Sequence, residues 1–120
     1  MKKKILMPVL IICLLLCACQ NNEHQTKNIT VTVCSDKGKE EFSVSTDEKF
    51  LGDALKNEGL IEGENSEYGI FIKSVNGIKA DESKEQWWCI TKDGENVMTG
   101  ADSTPIEDGD RFELTLKTGY

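Results

Sequence analysis

The hydrophobic positions of this chain follow three different rhythms, and each predicts a different kind of element. Near the start, Lys2, Lys3 and Lys4 precede an unbroken uncharged run of twelve residues from Ile5 to Leu16. A helix needs about 20 such residues to cross a bilayer, so this run is too short to span one and reads as the charged and apolar regions of a secretory signal. From Gln20 to Lys27 the chain is polar without any period, as expected of a short flexible tether. From Asn28 the rhythm becomes two: Ile29, Val31 and Val33 alternate with Thr30, Thr32 and Cys34, as in a strand buried on one face. A turn at Asp36-Lys37-Gly38-Lys39 and a second alternation over Glu41-Phe42-Ser43-Val44-Ser45 complete a predicted hairpin.

A third rhythm follows. Thr46 or Asp47 is placed to cap a segment in which Phe50, Leu51, Ala54 and Leu55 share one helical face, and Gly59 stands where helices commonly stop. One short helix is predicted there. Glu62 to Glu67 is acidic, contains a glycine and reads as a surface loop with solvated carboxylates. Strands are predicted again at Tyr68–Val75, at Gln86–Thr91 and, beyond Pro105 and the Glu107-Asp108-Gly109-Asp110 turn, at the end, where Phe112, Leu114 and Leu116 alternate with charged or polar neighbours. Asn76-Gly77 marks a turn, and Asp93-Gly94 is a hairpin signal that returns a short segment around Val97. One hairpin, one helix and a further set of strands make an α+β fold, with the helix packed across a mixed sheet. That order suits a β-grasp-like topology.

The end of the apolar run locates the protein. Leu16-Cys17-Ala18-Cys19 resembles the lipobox of bacterial lipoproteins, in which the last cysteine becomes the lipidated N-terminus. Cys17 has bulky Leu16 before it, whereas Cys19 has the small Ala18 that signal peptidases require. The resemblance implies a signal peptide at residues 1–18, lipidation of Cys19 by fatty acyl chains such as palmitate, a tether at 19–27 and a domain at 28–120. The expected location is extracytoplasmic, anchored to the cell membrane by lipid, because two or more acyl chains hold a protein on a bilayer stably.

Cleavage at that point changes the charge and the chemistry. The whole chain has 14 Lys and Arg against 21 Asp and Glu, a net −7; without Lys2, Lys3 and Lys4 the remaining 102 residues stand near −10. Such acidity argues against nucleic acid as a partner. Of the 5 cysteines only Cys34 and Cys89 stay in the domain. They either form a bridge or stand as two small apolar groups, and strand order decides which. The single histidine, His24, falls in the tether, so no cysteine or serine of the domain has an imidazole as base. No enzyme is expected. The sequence also lacks spacings typical of zinc, calcium-loop or nucleotide sites, and neither a metal nor a cofactor is expected. Asp81, Glu82, Glu85, Asp93 and Glu95 read as solvated turn charges.

From Glu67 onward the residues carry a family resemblance. Tyr68-Gly69-Ile70, Ser74-Val75-Asn76, the pair Trp87-Trp88, Asp93-Gly94, Gly100-Ala101 and Gly109-Asp110 occur in order, and Phe50-Leu51-Gly52-Asp53-Ala54-Leu55 adds a matching helix start. The segment resembles the C-terminal domain of transcobalamin and intrinsic factor and the bacterial transcobalamin-like domains of the DUF4430 family, over about residues 28–120. The resemblance implies a β-grasp-like fold and, as ligand, a corrinoid held on one face. It also implies a ligand-facing strand containing Tyr68, Ile70, Ile72 and Ser74, with apolar contacts at Ile90 and Val97. Adjacent tryptophans on a strand point to opposite faces, one under the helix and one on the far side of the sheet, where a ligand has access. Trp88 shares its face with Ile90, so the ligand side is expected to be that of Trp88. The helical half of the cobalamin carriers' site is not part of the resemblance, so a transporter or surface protein is the expected partner that completes it. The alternative is a protein or cell-wall interaction module with no small ligand.

Overall fold

The computed structural model describes residues 26–67 and 69–120. The signal peptide, Cys19, most of the tether and Tyr68 lie outside the described residues. Strand β1 (Lys27–Ser35) begins one residue inside the stretch read as tether and pairs antiparallel with β2 (Gly38–Thr46) around the Asp36-Lys37 turn. The last strand, β8 (Arg111–Thr118), returns beside β1 and runs parallel to it, pairing Val31 with Phe112 and Val33 with Leu114. Strands β6 (Gln86–Lys92) and β7 (Glu95–Asn96) extend the sheet beyond β8, giving the order β2-β1-β8-β6-β7. A parallel pair at the centre with antiparallel flanks is the mixed sheet that was expected.

Helix α1 (Leu51–Asn57) lies between the hairpin and the remaining strands. Phe50 takes the N-cap position without any side-chain cap; Thr46 instead accepts the N–H of Glu48 at 3.0 Å, closing a local turn before the helix. The helix end follows the sequence closely. Gly59 (φ +72) donates to Lys56 and Leu60 donates to Leu55, both at 2.9 Å, the double bond of a Schellman ending. Leu51, Ala54 and Leu55 are fully buried against the sheet's inward residues Ile29, Val31, Phe112 and Leu114.

A second, three-stranded sheet covers the rest of that face: β3 (Ile61–Ser66), β4 (Gly69–Val75) and β5 (Ile78–Lys79), with β4 central. Here the structure corrects the acidic-loop expectation, because Glu62–Ser66 is strand. Its side chains beyond Ile61 are all exposed, so no apolar period marks it, and backbone pairing with β4 supplies the order. Ile61 pairs with Val75, Glu62 with Ser74, and Gly63 with Ile72; Lys73 is thereby left as an extra residue on β4. Past this bulge Val75, rather than Ser74, joins the core.

Both predicted tight turns form where the sequence places them. Asn76 and Gly77 (φ +53 and +78) join β4 to β5, and Asp93 and Gly94 (φ +53 and +87) join β6 to β7. Positive φ at both central residues is the primed turn that matches strand twist.

Cys34 and Cys89 are free thiols. Both pair with Thr115, one from each side, so the width of β8 separates them. Two strand spacings amount to about 10 Å, beyond the roughly 7 Å between Cα atoms that a disulfide can bridge.

Candidate functional site

The two sheets do not close completely on each other. Where β4 passes β6, an open cleft of about 140 Å³ remains, lined by Ile70 and Ile72 from β4, Trp88 and Ile90 from β6, and Gly100 and Ala101 from the loop before β8. Phe71 and Trp87 complete its rim. Phe71, placed outward by the alternation of β4, is 48% exposed, and Met98 in the loop between β7 and Ala101 is 89% exposed.

The strand registers fix which side chains meet. Trp88 lies opposite Leu116 and Ile90 opposite Leu114, so both belong to the inward face of the large sheet. Trp88 is 7% exposed. This corrects the expectation that the ligand-side tryptophan stands on the face away from the core. Trp87 occupies that outer face, half-buried, with its Nε1 donating to the carbonyl of Gly119 at 2.8 Å. Trp88 lines the cleft left where β4 of the second sheet passes β6. Its own Nε1 is buried and meets no acceptor among the described residues.

Four of the residues singled out from the sequence therefore gather at one place: Ile70, Ile72, Trp88 and Ile90. Val97 lies beside them, half-buried, its N–H donating to the carbonyl of Ile90 at 3.0 Å. Ser74 does not join them. The bulge at Lys73 carries it to the far end of β4, between Glu62 and Lys79. Tyr68 belongs to the residues not described.

Sequence reasoning missed the cleft's third wall. Gly100, Ala101 and the 3-10 turn Ala101–Ser103 are set by Thr104, a buried polar residue at 5% exposure, whose hydroxyl donates to the carbonyl of Gly100 at 2.8 Å and lies 2.8 Å from that of Thr99. Asp102 accepts the N–H of Ile70 at 3.3 Å and so ties this wall to β4. Gly52 of α1 makes the approach possible, because a Cβ there would stand 3.0 Å from the Asp102 backbone. The Gly100-Ala101 step was visible in the sequence, but nothing local to it shows that it borders Trp88. Thr104→Val keeps the shape and removes both hydroxyl contacts. It should destabilise the protein by about 1–3 kcal/mol, read as a lower denaturant midpoint, and broaden the amide signals of Gly100 and Ala101.

Larger hollows, about 540 and 630 Å³, lie elsewhere, around Lys73, Lys79, Asp81 and Lys84, and they are polar. Asp81 caps the 3-10 turn Glu82–Lys84; hydrogen bonds from the hydroxyl and N–H of Ser83 hold its carboxyl below the usual carboxylate range. Its role is met within its own turn. No group of three or more His, Cys, Asp and Glu side chains is placed to hold a metal ion among the described residues.

A β-grasp-like domain with an apolar cleft at the junction of its two sheets is the class of protein that these features define. The chain belongs to the family described as Domain of unknown function (DUF4430), which matches residues 48–118. Among solved structures it is similar to a candidate metal-binding protein from Ruminococcus gnavus ATCC 29149, with 56% identity over 78% of this chain and 99% of that one, at a TM-score of 0.76. It also shares its fold with haptocorrin in complex with Cbi, at 17% identity and a TM-score of 0.67, over 82% of this chain. The chain spans 27% of haptocorrin's length. That fold is the one the transcobalamin-like resemblance implied. No curated protein matches the chain.

Proposed function

We propose that this protein is a non-catalytic binding domain, held at the outer face of a membrane by lipid on Cys19. Its β4/β6 cleft presents an apolar face to a flat, partly apolar ligand of the corrinoid kind, for delivery to a membrane uptake system. The observation that carries this reading is the meeting of Ile70, Ile72, Trp88 and Ile90 at one open cleft. Haptocorrin, solved in complex with Cbi, has the same fold. The cleft's small volume suits contact with one face or edge of a ligand rather than enclosure, since enclosing pockets run to about 300–1,000 Å³. A partner then covers the other side. The metal binding attributed to the Ruminococcus gnavus protein finds no matching cluster of ligating side chains among the described residues, so no metal is included in the proposal.

Titrating the chain with dicyanocobinamide while following tryptophan emission tests the ligand class. Saturable quenching is expected; emission that stays flat up to about 50 µM, a weak −6 kcal/mol interaction at best, contradicts it.

Anchoring is tested separately. With lipid on Cys19 as the anchor, Cys19→Ala is expected to move the protein out of the membrane fraction and abolish labelling by a fatty-acid analogue. A variant that stays membrane-bound and labelled overturns the lipid anchor.

A second reading, a protein or cell-wall interaction module, is favoured by β2. This nine-residue strand pairs only with β1 among the described strands, leaving an outer edge that can accept an added strand. A chain indifferent to cobinamide but retained by envelope proteins of the same cells supports it.

A further inference from the structure

Strand β2 holds nine residues, Gly38 to Thr46, in unbroken register against β1, and no described strand lies beyond it. The direction of its backbone groups follows from β1. Thr30 donates its N–H to the carbonyl of Asp110, toward β8, so the backbone of Ile29, Val31 and Val33 is turned the other way, toward Val44, Phe42 and Glu40 of β2. Lys39, Glu41, Ser43 and Ser45 therefore point their N–H and C=O groups away from the sheet. Proteins generally protect such a row with charges, prolines or bulges. The shorter edge strand β3 is protected in this way, by Glu62, Glu64 and the register shift at Glu62/Gly63. From Phe42 to Thr46, β2 carries no charge, proline or bulge.

The side chains of β2 suit pairing with a second β2. In an antiparallel pair related by a two-fold axis, opposed residues share a face of the sheet and the outward-turned residues must meet one another. Few registers satisfy both conditions. Centred on Glu41, the pairing sets that carboxylate against its own copy; centred on Val44, it sets Glu41 against Asp47. Centred on Phe42, it puts Glu40 opposite Val44, a core residue at 2% exposure. Centred on Ser43, it opposes no like charges. Phe42 then lies opposite Val44 and continues the apolar face, Glu41 meets Ser45, and Lys39 comes opposite Asp47, just past the strand end. Glu41 keeps its own cation, Arg111 at 3.0 Å, and neither Lys39 nor Asp47 has an ion-pair partner among the described residues.

We infer that β2 is a self-recognition edge, pairing antiparallel with β2 of a second copy about a two-fold axis at Ser43 and joining two five-stranded sheets into one. The inference rests on the reading of β2 as an interaction edge and names the partner. A foreign strand would find the same backbone groups, but a second copy also brings the complementary side chains. The net charge of −7 opposes close approach of two copies. Pairing is therefore expected at high local concentration, which anchoring in one membrane plane supplies.

The test follows the full chain, labelled with nitrogen-15 and held in detergent, by amide exchange and sedimentation. Between about 50 µM and about 1 mM, the Glu41, Ser43 and Ser45 amides are expected to slow about ten-fold as the mass doubles. Phe42 and Val44, bonded to β1, should be protected throughout. Ser43→Pro removes an N–H that β1 does not use and blocks the edge; it should keep the chain monomeric with its urea midpoint unchanged. If proline lowers that midpoint, Ser43→Lys, which sets like charges at the axis, takes its place with the same expectation. Lys39→Glu should weaken the pairing, and adding Asp47→Lys should restore it. A mass and exchange rates that ignore concentration, or a Ser43→Pro chain that still pairs, overturn the inference. Outward amides protected only when envelope proteins of the same cells are added overturn self-pairing and leave the interaction-module reading standing; no protection in either case removes both.

Discussion

Phe112→Ala is expected to cost about 3–5 kcal/mol, which for a domain of this size removes much or all of its stability. Phe112 is 1% exposed on β8, the strand that holds the two halves of the large sheet together, with Val31 beside it on one side and Lys92 on the other. The Lys92 ammonium stands 5.8 Å from the centroid of its ring and is paired with Asp110 at 3.4 Å. Removing the ring leaves a cavity beneath α1 and uncovers the stem of Lys92. Urea unfolding should show the loss as a much lower midpoint, or as a chain already unfolded in buffer. A midpoint within about 1 kcal/mol of the parent would mean that the core can collapse into the space.

The second large effect is expected at Gly63, and its cause is backbone rather than core. A Cβ on Gly63 would overlap the carbonyl oxygen of Phe71, an atom fixed by the strand pairing around the Lys73 bulge. Gly63→Ala therefore forces β3 and β4 apart where β4 approaches the cleft. About 3 kcal/mol of destabilisation is expected, at the upper end of overpacking costs, together with displaced methyl signals of Ile70 and Ile72. Gly77→Ala is the control. Its φ of +78 is unfavourable for alanine, but nothing lies within 4 Å of the added Cβ, so the cost should stay near 1 kcal/mol. Gly63 has no left-handed φ, so equal costs at the two positions would show that the close approach to Phe71 adds nothing beyond an ordinary glycine replacement.

The positions that sequence could reach are those whose requirements are local. Asn76-Gly77 and Asp93-Gly94 can be read as turns because few other pairs tolerate two positive φ values, and Gly59 marks a helix end for the same reason. Alternation gives the inward faces of β1 and β8, and parity puts Trp88 and Ile90 on one face. Parity does not say what covers that face. The second sheet does, and its outer strand β3 leaves no trace in the apolar pattern because only Ile61 of its side chains is buried. Ser74 is misplaced by alternation because the extra residue at Lys73 is a property of strand pairing, invisible until Gly63 is seen against Ile72. The wall formed by Gly100, Ala101 and Thr104 depends on long-range contacts with α1 and β4.

The same division explains why the fold was more legible than the site. Hairpin, helix and final strand each carry their own signal, and a parallel return of the last strand beside the first is what remains when they are packed in order. The cleft is built by β4 of one sheet, β6 of the other and the Gly100-Ala101 step, three segments far apart in sequence, and no local signal in any of them reports that meeting.

Mapping the ligand onto the chain is therefore the most direct measurement. With dicyanocobinamide added to the isotope-labelled chain, shifts should concentrate on the Ile70, Ile72 and Ile90 methyls and the Trp88 indole. The outer face of the large sheet, reported by Thr32, Cys34 and Thr115, should be unaffected. Shifts confined to that outer face, or spread evenly over both, would contradict the placement of the binding surface at the junction of β4 and β6.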